Sequence, residues 1–180
     1  MARRALLALA ALAGGAAALP RTCFDLFGTL CIQASVDASA GTVTFNATCA
    51  QSLFENPGWC AFGLSLAGSS SMGNAEVFFI AHYANDTVAV EDRFNPKGHD
   101  APVCVAPVSQ LVAGAALPSG ALTATWTRKL NVSGTGVMPI APGQSVHAIA
   151  AWGPQKDRQA ASCAGGWPEH SQTGKATLTF

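Results

Sequence analysis

Strict alternation of apolar and polar residues over short stretches limits what this chain can become. From Ala121 to Leu130, the residues Leu122, Ala124, Trp126, Arg128 and Leu130 share one side, opposite Thr123, Thr125, Thr127 and Lys129. Gly41 to Cys49 repeats the pattern, with Val43, Phe45 and Ala47 opposite Thr42, Thr44 and Asn46. A period of two marks a strand with one buried face. Turn signals at Asn56-Pro57-Gly58, Asn85-Asp86 and Pro139–Gly143 separate such stretches, and no long segment carries a helical period. The expected fold class is therefore all-β, a β-sandwich. Thr22–Ile32 reads as a short first strand, and Gly41–Cys49 should pair with the returning strand Trp59–Leu66. Glu76–Tyr83, apolar on both faces, suits a central strand, with Val88–Phe94 returning from it. Pro102–Val112 reads as extended, and Ser145–Trp152 and Lys175–Phe180 complete the set. Arg128 on the apolar side of its strand demands a partner, because an unpaired buried charge is costly.

Residues 1–20 read as a secretory signal peptide. Arg3 and Arg4 form its basic region, Ala5–Leu12 its apolar core, and Ala16-Ala17-Ala18 a small-residue cleavage patch. Residues 21–180 then make one domain. The ten basic residues less Arg3 and Arg4 leave eight, against ten acidic. Such a balance offers no basic stripe for nucleic acid, which is excluded as a partner. Cys23, Cys31, Cys49, Cys60, Cys104 and Cys163 form an even set behind the signal and read as disulfides, with the local pair Cys49–Cys60 one option among the 15 connectivities six cysteines allow. Neither CxxC nor CxxCH occurs, against a zinc-thiolate site and against covalent haem. Asn46, Asn85 and Asn131 head N-glycosylation sequons. The chain is expected to be secreted, extracellular or at the cell surface.

Two residues stand out chemically. Met72 lies in the Gly/Ser-rich stretch ahead of the strand starting near Glu76, and His170 precedes the final strand. A thioether and an imidazole so placed could meet at one end of a sandwich, and methionine with histidine is an axial ligand pair for haem iron. Taken singly, a methionine more often fills a gap in packing and a loop histidine is more often solvated. His82, His99 and His147 are scattered without a metal spacing. No GxSxG or phosphate-cradling glycine loop appears.

Several segments occur in an order that resembles the DOMON domain, especially its haem-binding branch. They are Gly58-Trp59-Cys60-Ala61-Phe62-Gly63-Leu64-Ser65, Met72-Gly73-Asn74-Ala75-Glu76-Val77, Glu91-Asp92-Arg93-Phe94, Thr125-Trp126-Thr127-Arg128-Lys129-Leu130, and the ending from His170 through Gly174 to Leu178-Thr179-Phe180. That branch includes the cytochrome domain of cellobiose dehydrogenase and the DOMON modules of plant cytochrome b561 proteins. The resemblance implies an immunoglobulin-like β-sandwich of two antiparallel sheets holding one non-covalent haem b, with Met72 and His170 as axial ligands and Arg128 with a structural or propionate partner. By strand position, Phe78, Ile80, Tyr83 and Trp152 would wall the pocket. The implied activity is single-electron transfer by a six-coordinate b-type cytochrome domain, a carrier rather than a catalyst by itself. Its partners would be a redox protein or small-molecule reductant, or a membrane cytochrome b561 domain. The chain carries no b561 helices, flavin domain or lipid-anchor tail, so it reads either as a free-standing carrier or as part of a larger redox protein. The alternative is a haem-free DOMON sandwich that binds sugars or proteins.

Overall fold

The computed structural model describes residues 17–24, 29–50, 57–66, 68, 72–83, 85–98, 102–154, 170 and 172–180. Cys163, His99 and residues 1–16 lie outside that set. All regular structure among the described residues is strand: β1 (Ala17–Ala18), β2 (Thr22–Cys23), β3 (Leu30–Asp37), β4 (Thr42–Cys49), β5 (Pro57–Ser65), β6 (Ala75–His82), β7 (Val88–Asn95), β8 (Val103–Cys104), β9 (Ser109–Ala116), β10 (Leu122–Lys129), β11 (Ser145–Pro154) and β12 (Gln172–Thr179). Two antiparallel sheets result. The first runs β1-β3-β4-β10-β9, with β2 also on β3, and the second runs β12-β11-β5-β6-β7-β8.

Alternation builds the core. Val43, Phe45 and Ala47 of β4 and Leu122, Ala124 and Trp126 of β10 turn inward, where they meet Phe62 and Phe78 from the second sheet. Phe45 is the hub. Its ring stacks on Trp126 at 5.2 Å between centroids and tilts against Phe78 at 5.3 Å. The threonines opposite remain partly exposed, so the first sheet has one dry face. The second sheet differs, because Trp59, Ala61, Val77, Phe79, Ile149 and Ala151 are buried on its outer face as a separate cluster. This explains why the sequence of β6 lacks a polar side: all eight of its residues are buried.

Two expectations need correction. Thr22–Ile32 is not one strand but the antiparallel β2–β3 pair, closed by the Cys23–Cys31 disulfide between directly opposed residues. Nor do β4 and β5 pair with each other. β4 sits between β3 and β10, whereas β5 sits between β11 and β6. A turn signal between two strands does not distinguish a hairpin from a crossing between sheets. The Cys49–Cys60 disulfide therefore links the two layers through the fully buried core. Cys104 is also disulfide-bonded.

Arg128 finds its partner across the sandwich. Its side chain is buried, and Nη2 donates to Glu76 Oε2 (3.2 Å) and to the Met138 carbonyl (2.7 Å). Glu76 Oε2 also accepts the Met138 amide at 2.9 Å. The pair thus pins the 131–140 connection to both sheets. Burial is the largest influence on each group, pushing the Glu76 carboxyl up to about 7 despite the nearby guanidinium, and lowering Arg128.

Candidate functional site

The outer face of the second sheet carries a shallow apolar cleft of about 70 Å³, smaller than the roughly 300–1,000 Å³ of closed small-molecule pockets. Its floor follows from register. Trp59, Ala61 and Gly63 alternate along β5, with Phe79 and Val77 beside Ala61 and Gly63 on β6, and Ala151 and Ile149 beside the same two on β11. Side chains shrink along the β5 row from indole to methyl to hydrogen. A Cβ at position 63 would lie 2.9 Å from Ile149 Cγ1, so the hollow there depends on glycine. Trp59 stacks on Phe79 at 4.8 Å and Arg93 lies over the other side of that ring at 4.7 Å, making a stiff wall. Arg93 is itself ion-paired with Glu91 and donates to the Pro102 carbonyl at 3.3 Å, so its charge is spent in the wall. Burial raises the Glu91 carboxyl, with Arg93 opposing that shift.

Met72 and His170 both line this cleft and are partly exposed. Close backbone packing sets the position of Met72. A Cβ on Gly73 would fall 2.8 Å from the Gly98 amide nitrogen, Asn74 takes a left-handed φ of 54°, and the Leu66 amide donates to the Asn74 carbonyl at 2.9 Å. Asparagine tolerates that conformation better than most residues. The two candidate ligands do not emerge at one end of the sandwich. β6 and β12 are separated by three antiparallel pairings through β5 and β11, so they run in opposite directions. Met72 therefore arrives at the Ser65–Ala75 end, and His170 at the Trp152–Gln172 end.

The remaining expected wall residues lie elsewhere. Phe78, Ile80 and Trp152 point into the sandwich core, one residue out of step with Val77, Phe79 and Ala151, which do line the cleft. Tyr83 joins the outer cluster at the far end of β6 without reaching the cleft. Arg128 is on the opposite sheet, occupied by Glu76 and Met138. His82 is buried beside Asp86 (3.4 Å), and His147 is exposed on β11. Among the described residues no group of three or more His, Cys, Asp or Glu could hold a metal ion. Asn95 and Pro102, which sequence reasoning did not single out, complete the rim. Asn95 is buried, and its Oδ1 accepts the Lys97 amide at 3.2 Å. Asn46 and Asn85 are exposed, as is Asn131, so each sequon asparagine is reachable from solvent.

A model of the DOMON domain matches residues 28–153. The chain belongs to the DOMON family. The match spans every residue of the cleft floor, together with Met72, and ends before His170. No curated protein matches this DOMON chain.

Gly153 supplies a direct test of the wall in this DOMON domain. A Cβ there would stand 2.4 Å from Trp59 Nε1, so Gly153→Ala must move the indole toward the cleft or shift β11. The expected cost is about 1–3 kcal/mol, as for overpacking elsewhere. Urea unfolding followed by tryptophan fluorescence would reveal it, and an unchanged midpoint would mean that the wall yields freely.

Proposed function

We propose that this DOMON domain holds one haem b between Met72 and His170 and carries single electrons outside the cytoplasm. The observation supporting this reading is that the thioether and the imidazole, far apart in sequence, line the same cleft over a floor of apolar and very small side chains. The residues present suit such a group: Met72 and His170 are donors that haem iron takes, and the floor beneath them is apolar. Haem ligated this way supplies a one-electron couple of raised potential with no open coordination position.

The chain's own residues would do the rest. Met72 offers a neutral sulfur, His170 a ring nitrogen free of its proton, and Trp59 and Phe79 exclude water from one side. Ala61 and Gly63 leave the space that the ring plane requires. The physiological partner would be a redox protein, a membrane cytochrome b561 domain, or a small reductant. The disulfides Cys23–Cys31 and Cys49–Cys60 are compatible with a secreted protein.

Visible absorption of the secreted protein, produced with haem available and recorded oxidised and dithionite-reduced, tests the proposal. A sharp low-spin b-type spectrum is expected, turning high-spin or disappearing in Met72→Ala and His170→Ala. A folded, colourless protein that takes up no added haem would overturn the reading and leave a sugar- or protein-binding module in its place.

A further inference from the structure

The outer face of the first sheet lies away from the cleft and has a regular composition. Register sets its side chains in rows across β3, β4 and β10: Cys31–Thr48–Thr123, Gln33–Asn46–Thr125 and Ser35–Thr44–Thr127. The next row, Asp37–Thr42–Lys129, holds the only charged side chains that these three strands turn outward. Soluble surfaces usually intersperse charges of both signs, roughly 25–35% of their residues. An array without any needs another source of solvation.

Asn46 stands at the centre of this array, on the middle strand and in the middle row. It is exposed, whereas the residues around it are half-buried or, for Cys31, buried. Thr125 Oγ1 donates to Asn46 Oδ1 at 2.8 Å, and Nδ2 has no hydrogen-bond partner among the described residues. Asn46-Ala47-Thr48 is a sequon, and the amide nitrogen is the atom through which an N-glycan is attached.

We propose that Asn46 carries an N-glycan that shields the uncharged face of the first sheet. The sugar supplies the solvation that charged side chains do not, and the hydroxyls and amides around Asn46 can hydrogen-bond to it. The Thr125 bond survives attachment, because the linkage uses the nitrogen and leaves Oδ1 to accept. An acceptor in mid-strand is less usual than one in a surface loop, and the order of synthesis accounts for it. β3 precedes the sequon, but Thr125 of β10 follows Asn46 by 79 residues. At about 5–20 residues per second, that flank of β4 stays unpaired for roughly 4–16 s. The inference rests on the export in the proposed function and not on haem.

The full chain, produced in eukaryotic cells and collected from the medium, tests this. Peptide mapping by mass spectrometry should show residue 46 converted to aspartate by peptide N-glycosidase. Asn46→Gln and Thr48→Ala should each lose the mass of one glycan, and Thr48→Ser, which keeps the sequon, should retain it. Shielding is read separately. Thr127→Lys places an amine diagonal to Asn46, and its acylation should be slower in the glycosylated chain than in the same chain carrying Asn46→Gln. A bare Asn46 beside an occupied Asn85 or Asn131 overturns the inference and leaves export standing. Bare asparagines at all three sequons overturn both. Equal acylation with and without the glycan overturns the shielding.

Discussion

Arg128→Met is expected to destabilise the domain by about 3–5 kcal/mol at pH 8, the usual cost of removing one partner from a buried ion pair, and by markedly less at pH 5. The pH dependence follows from Glu76. Burial already raises its carboxyl to about 7, whereas the unfolded chain ionises near the ordinary 4.5. Between those values the folded state retains a proton that the unfolded state has released, so this group's contribution to stability falls as pH rises from 4.5 to 7. Without the guanidinium, the carboxyl is held neutral to still higher pH and the decline extends further. Glu76→Gln removes the titration, and the corresponding slope should vanish. The double change Arg128→Met with Glu76→Leu should recover much of the loss, since apolar replacement of a whole buried pair is often nearly neutral. Urea unfolding of the four proteins at pH 5 and pH 8 decides the matter. An Arg128→Met cost that does not depend on pH would show that the carboxyl is not what the arginine serves.

Replacing Cys49 and Cys60 together by alanine should cost about 2–4 kcal/mol, the typical contribution of a disulfide. Both sulfurs are fully buried and lie in different sheets. The loss therefore combines a freer unfolded chain with two small voids between the layers. Cys23→Ala with Cys31→Ala should cost less, because that bridge spans two residues already opposed in a β pair. Thermal melts under non-reducing conditions provide the comparison. If the β2–β3 bridge proved the costlier loss, the inter-sheet link would not be the principal staple.

The sheet positions that the sequence marks clearly are those where only one face is dry. In β4 and β10 the threonines announce the outside, and the inward register of Phe45 and Trp126 follows directly. Where both faces are dry the same rule is silent. Phe78 and Phe79 are both buried, on opposite sides of one sheet, and nothing in their order tells which meets the core. That ambiguity placed Phe78, Ile80 and Trp152 on the wrong side of the cleft floor. Met72 and His170 could be named from residue type and position, but their approach from opposite ends required strand pairing over long sequence separations. Glu76 sits within the motif yet shows its role only when β6 faces β10. Asn95 and Pro102 carry no sequence pattern at all.

The unequal burial of the two sheets sets an order in which the molecule should open. Amides of β5, β6 and the Ala148–Gly153 part of β11, sealed on both sides, should exchange with deuterium only on global unfolding, whereas β9 and the short outer strands should exchange by local fraying. The cleft floor then belongs to the slowest-exchanging unit, while Met72 is carried by the connection between two of its strands. A molecule bound there would rest on the part of the domain that opens last.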